Sequence, residues 1–136
     1  MTNRSEEYIQ ALGEKLGFVV KPNENGTCLV TKGESTGVVV RANDEAERME
    51  LSAAIAPDLP ESVSYSDMLD LLGMSLGPLF DAPGIGREPE SGTIVMYALM
   101  PFSTTTPADF ADAVTMFLDR AQNLAERFAS LDLKDA

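Results

Sequence analysis

The residues of this chain that could perform chemistry are mainly carboxylates. Asp44, Glu45, Glu47 and Glu50 fall within one short segment of the 136-residue sequence. A cluster of this kind could ligate magnesium or act as an acid/base pair. Charged residues that follow a strand more often form a solvated turn, and the spacing here matches no calcium-binding loop. A small carboxylate-dependent enzyme is therefore an alternative interpretation and not the leading one.

Nucleophilic and cofactor chemistry have even less support. The chain has no histidine, so Ser-His and Cys-His nucleophile pairs are absent. Cys28 is the only cysteine, which excludes an internal disulfide and leaves too few ligands for a zinc site. It lies in the strand-like run TCLVT, where a small buried residue is expected. Gly84-Ile85-Gly86 lacks the third glycine of a dinucleotide-binding loop. We expect no catalytic residue, no metal and no cofactor.

The composition predicts one globular domain over residues 1–136. Apolar residues make up 44% of the sequence and charged residues 24%, and no apolar run reaches the roughly 18 residues of a membrane span. The net charge of −12 repels phosphate backbones and anionic lipids, so neither nucleic acid nor a membrane is an expected partner. The first residues lack the apolar core and cleavage site of a secretory signal, which indicates a cytoplasmic protein.

The hydrophobic periodicity predicts an α+β fold in the order α-β-β-β-α-β-β-α, with helices packed on an antiparallel sheet. The predicted elements are a helix over residues 4–17, strands over 27–31, 37–42 and 47–55, a helix capped by Ser64, strands over 84–88 and within 92–101, and a helix of about 24 residues capped by Thr106. Asn3 and Glu6 have the spacing of a capping box for the first helix. The third strand contains good helix formers, so a helix is its alternative.

Two predicted elements are more apolar than a solvent-exposed surface allows. The short helix after Ser64 carries Met68, Leu69, Leu71 and Leu72 and leaves little of its circumference polar. The strand TIVMYALM is apolar on both faces, with Ile94, Met96 and Ala98 on one side and Val95, Tyr97 and Leu99 on the other. One face of that strand must pack under the helices, and we expect the other face to be covered by a second subunit.

The sequence resembles the class I chaperones of bacterial type III secretion, the Tir-chaperone family. The local match is the stretch GREPESGTIVMYALMP from Gly86 to Pro101, where a Pro-Glu-x-Gly turn leads into an apolar strand that ends at a proline. The opening helix that ends in Leu16-Gly17-Phe18 and the long closing helix after Thr106-Pro107 also fit, so the resemblance covers nearly the whole chain.

The resemblance implies a cytosolic homodimer without a nucleotide cofactor, which holds the N-terminal, non-globular segment of a secreted effector in extended form and keeps it competent for export. For the partner-binding groove we choose the first helix and the first two strands, with Ile9, Leu12, Leu16, Leu29, Val38 and Val40. For the dimer interface we choose Met68, Leu69, Leu72, Met74, Leu76, Val95, Tyr97 and Leu99. At each groove position, burial in the core is an equally good interpretation. The first alternative function is a regulatory or adaptor domain of the same fold that binds another bacterial protein and has no export role.

Overall fold

The computed structural model describes residues 4–17, 19–24, 26–32, 36–57, 64–80 and 83–134. The elements are α1 (Arg4–Leu16), β1 (Thr27–Lys32), β2 (Thr36–Asn43), β3 (Arg48–Ala56), α2 (Tyr65–Ser75), a short 3₁₀ helix (Gly77–Phe80), β4 (Gly84–Arg87), β5 (Ile94–Pro101) and α3 (Pro107–Lys134). The predicted α+β class and the predicted order of helices and strands are confirmed. The third strand is a strand and not the helical alternative, and the short 3₁₀ helix after α2 is an element that was not predicted.

The five strands form one antiparallel sheet in the order β1-β2-β3-β5-β4. The three strands β1, β2 and β3 follow one another in space because short turns connect them. β5 then pairs with the other side of β3, and β4 pairs with β5 at the edge. In β3, Met49, Leu51, Ala53 and Ile55 are buried and the residues between them are not, as the period-two pattern predicts.

The core lies between one face of the sheet and the helices. Buried side chains from every strand meet α1 through Tyr8, Ile9 and Leu12 and meet α3 through a stripe that runs from Phe110 to Phe128. Half-buried Leu71 and Met74 of α2 pack against the edge of this core. All three helices therefore lie on the same side of the sheet. The other side, which we call the outer face, carries no described helix.

The helix ends follow the predicted caps, with one non-local exception. Thr106 accepts a hydrogen bond from the backbone N–H of Asp109, and Ser64 accepts one from that of Asp67. The carboxylate of Asp44, in the turn between β2 and β3, accepts hydrogen bonds from both the N–H and the hydroxyl of Ser5 at the start of α1. This contact satisfies a first-turn donor of the helix. The proposed capping role of Asn3 lies outside the described residues.

Candidate protein-binding surfaces

Two of the four clustered carboxylates have structural partners: Asp44, in the turn between β2 and β3, and Glu50, within β3. The carboxylate of Asp44 accepts hydrogen bonds from the backbone N–H and the hydroxyl of Ser5 at the start of α1. The carboxylate of Glu50 accepts hydrogen bonds from Arg48 at 2.7 Å and from Asn43 at 3.1 Å, and it forms an ion pair with Arg41. Burial raises the pKa of the Glu50 carboxyl, but these hydrogen bonds and the two arginine charges lower it by more. Among the described residues, no group of three or more His, Cys, Asp and Glu side chains has the arrangement of a metal site.

Cys28 is part of the core, as predicted from its position in a strand. Its side chain is buried, and burial raises the pKa of the thiol. A raised pKa lowers the fraction of reactive thiolate. The structure therefore gives Cys28 a packing role.

The six residues predicted for the partner-binding groove do not form one surface. Leu12, Val38 and Val40 are fully buried in the core and Ile9 nearly so, while Leu16 is half-buried against it. Leu29 points to the outer face and is 65% exposed, because its strand neighbours Cys28 and Val30 point inward. Core side chains cannot touch a partner in this conformation, so of these six Leu29 is the residue best placed for contact.

The register of the sheet shows which residue accompanies Leu29. Leu29 lies opposite Val39, which is 38% exposed, and Val39 lies opposite Ser52. The predicted groove includes Val38 and Val40 from the same run of three valines but not the exposed Val39. The alternation of inward and outward residues could have identified it, since a residue that lies between two buried strand positions must point to the opposite face.

A cleft of 910 Å³ lies on the helix side of β1, between α1 and the segment that leads into the strand. Ile9, Val20 and Ala42 give it apolar walls, and exposed Val19 lies at its margin. The described lining includes four carboxylates and no basic side chain; these are Glu6, Glu14, Glu24 and Asp44. β1 is an edge strand of the sheet, so this cleft and the Leu29–Val39 pair flank the same edge.

The β5 residues predicted for the dimer interface lie together on the outer face. Val95 and Tyr97 are half-buried and Leu99 is 51% exposed. Their neighbours on β3 are Ala54, Ser52 and Glu50. The side chains of Ile94 and Met96 are buried on the opposite side, so the predicted division of this strand between two faces agrees with the structure.

The helix α2 exposes most of its apolar surface. None of its residues is buried, although Met68, Leu69, Leu72 and the following Leu76 are all large and apolar, and Leu72 is 58% exposed. Met74 is the only member of the predicted α2 set that packs against the core. Arg127 of α3 holds the helix through ion pairs with Asp67 at 3.4 Å and Asp70 at 3.0 Å.

The eight predicted interface residues thus form two patches on opposite faces of the sheet near its β4 edge. The α2 patch lies on the helix side, where Met68 and Leu72 line a small cleft with Gly86 and Ile94. The β5 patch lies on the outer face. β4 is only four residues long and separates the two. Exposed apolar patches of this kind mark interaction surfaces.

Comparisons with known proteins agree with this architecture. A model of the Tir chaperone protein (CesT) family matches residues 7–125 of the chain. The structure of the HopA1-SchA chaperone-effector complex contains a chain that is 18% identical, with a TM-score of 0.74 over 89% of this chain and 92% of that one. No curated protein matches the sequence significantly.

Two further solved structures share the fold. In the ExsC-ExsE complex the matching chain is 17% identical, with a TM-score of 0.73 over 93% of this chain and 97% of that one. In the complex of the Yersinia pestis type III secretion chaperone SycH with a stable fragment of YscM2, the matching chain is 18% identical. Its TM-score is 0.68 over 86% of this chain and 96% of that one. Within the described part of the chain, no helix combines the length and the apolar character that a bilayer span requires.

Proposed function

The chain belongs to the Tir chaperone protein (CesT) family, and we propose that it is a single-domain, homodimeric chaperone of the cytoplasm that binds the N-terminal, non-globular segment of a secreted effector and keeps it competent for type III secretion. The family is one of chaperones, which agrees with the prediction that the chain is not an enzyme and argues against the carboxylate-dependent alternative. The solved complexes of similar fold support an effector as the partner.

One observation carries this proposal. Among the described residues, no element covers the two separate apolar surfaces that lie along α2 and on the outer face of the sheet. Covering apolar surface contributes about 25 cal/mol per Å², so patches of this kind favour association with a partner. We assign the α2 and β5 patches to a second subunit and the β1 edge to the effector segment.

The β1 edge suits an extended segment for three reasons. An edge strand offers unpaired backbone groups that can accept an additional strand. Leu29 and Val39 supply apolar contact on the outer face, and the cleft beside α1 supplies apolar walls on the other. A disordered segment loses conformational entropy when it binds, so contacts on both faces of the strand help to offset that cost.

The test is to capture the natural partner and to map the bound region. The chain should co-purify with an N-terminal segment and protect it from protease in an extended form. Leu29→Asp should weaken the complex at least about tenfold, because it removes a contact of roughly 1.5 kcal/mol and places a charge there. Ser103→Asp is the control, since Ser103 is an exposed polar residue in the turn after β5, away from the β1 edge.

The result that contradicts the proposal is binding to a folded domain with no affinity for disordered segments. That outcome supports the adaptor alternative, in which the same fold binds another bacterial protein and serves no export. A complex that tolerates both Leu29→Asp and Val39→Asp would show that the β1 edge is not the effector site, even if the partner is an effector.

A further inference from the structure

Half of the backbone groups of β1 point away from β2, toward the edge of the sheet. Gly26 directly precedes β1, and its C=O accepts a hydrogen bond from the N–H of Ala42 at 2.8 Å, in line with the register of β1 on β2. Hydrogen-bonded and non-hydrogen-bonded pairs alternate along an antiparallel ladder. The N–H and C=O groups of Thr27, Leu29 and Thr31 therefore face the sheet edge, while those of the residues between them bond to β2.

Asn23 closes this edge at Thr27. The backbone N–H of Asn23 donates to the C=O of Thr27 at 2.8 Å, and the side-chain Oδ1 of Asn23 accepts from the N–H of Thr27 at 3.1 Å. One residue thus occupies both edge groups of Thr27. No residue in the described part of the chain hydrogen-bonds to the edge groups of Leu29 or Thr31. The closure is therefore confined to the first residue of the strand.

The remaining part of the edge is short. With Thr27 occupied, it offers the N–H and C=O groups of Leu29 and Thr31. The side chain of Leu29 lies over β2 and not over these groups, since a Cβ built on Gly37 would be 3.1 Å from the Cδ1 atom of Leu29. Exposed edge groups of this kind pair with an additional strand. Such a strand forms its last hydrogen bonds at Leu29, because Asn23 stands where its next paired residue would lie.

The charge around the closed end indicates which kind of segment fits. Asn23 and Glu24 also line the 910 Å³ cleft beside α1, so the cleft begins where the edge closes. Its described lining carries four carboxylates and no basic side chain, and Lys21 of the same connecting segment is exposed and does not line it. A second copy of the chain carries the same net charge of −12. Charge complementarity therefore favours a foreign segment with lysine or arginine beside its paired residues.

We propose that Asn23 is a positioning residue of the effector site, which ends the added strand at Leu29 and so fixes the register of the effector segment on β1. The identity of that segment rests on the proposed function. The segment pairs its backbone with Leu29 and Thr31 and leaves the sheet edge beyond Leu29, where the carboxylates of the cleft favour a basic side chain. A strand that slips by two residues keeps the same side chains on each face, so alternation alone does not fix its register. The stop at Asn23 decides which apolar side chain lies beside Leu29.

The test uses the full-length protein, residue-resolved hydrogen exchange and a synthetic probe. The probe is an acetylated, amidated seven-residue peptide that alternates threonine and valine between two terminal lysines, added at millimolar concentration. It should slow exchange of the Leu29 and Thr31 amides at least about tenfold and leave that of Thr27 unchanged, since Asn23 already bonds it. A probe with glutamate in place of both lysines should bind about three- to tenfold more weakly at low salt.

Two variants of Asn23 test its role. Asn23→Ala frees the N–H of Thr27, so the probe should slow exchange of that amide as well. Asn23→Asp keeps a side-chain acceptor and should behave as the wild type. The amides of Cys28 and Val30, which face β2, are the internal control, because unchanged exchange there shows that each variant retains the sheet.

The outcomes separate this inference from the proposed function. If Asn23→Ala and the wild type show the same protected amides while Leu29→Asp loses the effector, the positioning role is overturned and the effector site stands. Unprotected Leu29 and Thr31 amides at millimolar probe overturn the open edge. Protection of these amides without probe, lost on dilution, identifies a second copy as the occupant and also overturns the inference. A protected set that extends to Thr27 only in Asn23→Ala supports the stop, and an effector complex that then tolerates Leu29→Asp contradicts the proposed function alone.

Discussion

The phenol ring of Tyr97 lies directly over Gly84 on the neighbouring strand. A Cβ atom built on Gly84 would be 2.7 Å from Cζ and 2.8 Å from the hydroxyl oxygen of Tyr97, and 2.9 Å from Cδ of Pro78. The ring therefore occupies space that any other residue at position 84 would need. This contact fixes the position of Tyr97 at the centre of the β5 patch.

The first prediction concerns this contact. Gly84→Ala should lower the free energy of unfolding by about 1–3 kcal/mol, because the ring or the strand must move to admit a methyl group. Gly86→Ala on the same strand is the matched control, since a Cβ there meets nothing within 4 Å and should change stability by less than about 0.5 kcal/mol. Urea denaturation of both variants makes the measurement, and equal stabilities would refute the packing role.

The β5 face shows how much the sequence could predict. Strict alternation in TIVMYALM was enough to divide Ile94 and Met96 from Val95 and Tyr97, because the period of a strand fixes the face of each residue. In β1 and β2 the same rule applied, but the groove residues were chosen by hydrophobicity across both faces. Leu29 was therefore grouped with Val38 and Val40, which lie in the core.

Non-local contacts are the part that a single sequence could not supply. Asp44 was considered as a member of a carboxylate cluster, whereas its partner is Ser5, 39 residues away. The ion pairs between Arg127 and α2 span about 60 positions along the chain in the same way. Such pairs depend on how the elements pack, which no local spacing encodes.

The second prediction tests the proposed dimer. Leu69→Asp and Val95→Asp each replace an apolar side chain of the proposed interface by a charge. Each should weaken the dimer by about 3 kcal/mol or more, which is roughly a hundredfold in the dissociation constant. Light scattering across a dilution series measures this, with Ser66→Asp as a control because Ser66 is an exposed polar residue of α2.

Two results count against the proposed interface. A wild-type protein that remains monomeric at micromolar concentration leaves the α2 and β5 patches without the occupant we assign to them. A dimer that survives both Leu69→Asp and Val95→Asp places the interface elsewhere on the subunit.

The third prediction concerns Glu50 and pH. Hydrogen bonds from Arg48 and Asn43, with the charges of Arg48 and Arg41, hold the pKa of the folded-state carboxyl below its ordinary value despite burial. A depressed pKa means that the folded state binds fewer protons than the unfolded state below about pH 5. The stabilisation is therefore fully present above the unfolded-state pKa of about 4.3 and is lost as pH falls through the folded-state pKa.

Glu50→Gln removes this contribution and makes the prediction measurable. The difference in Tm between the wild type and Glu50→Gln should be constant from neutral pH down to about pH 5 and should narrow below about pH 4. The control is Glu45→Gln, an exposed carboxylate in the preceding turn, which should show little difference at any of these pH values. A difference that stays constant to pH 3 would contradict the assigned network.

The fourth prediction concerns how α2 is held. Since none of its residues is buried, the helix depends on a few half-buried side chains and on the ion pairs of Arg127 with Asp67 and Asp70. Arg127→Gln should lower global stability by at most about 1 kcal/mol, because the pairs are exposed. It should nevertheless raise hydrogen exchange in α2 severalfold, since local opening of a weakly packed helix costs less than global unfolding. Arg120→Gln, which removes an arginine of the same helix for which no ion pair with a described residue is seen, should leave that exchange unchanged. The ion pairs have no part in holding α2 if the two variants exchange alike.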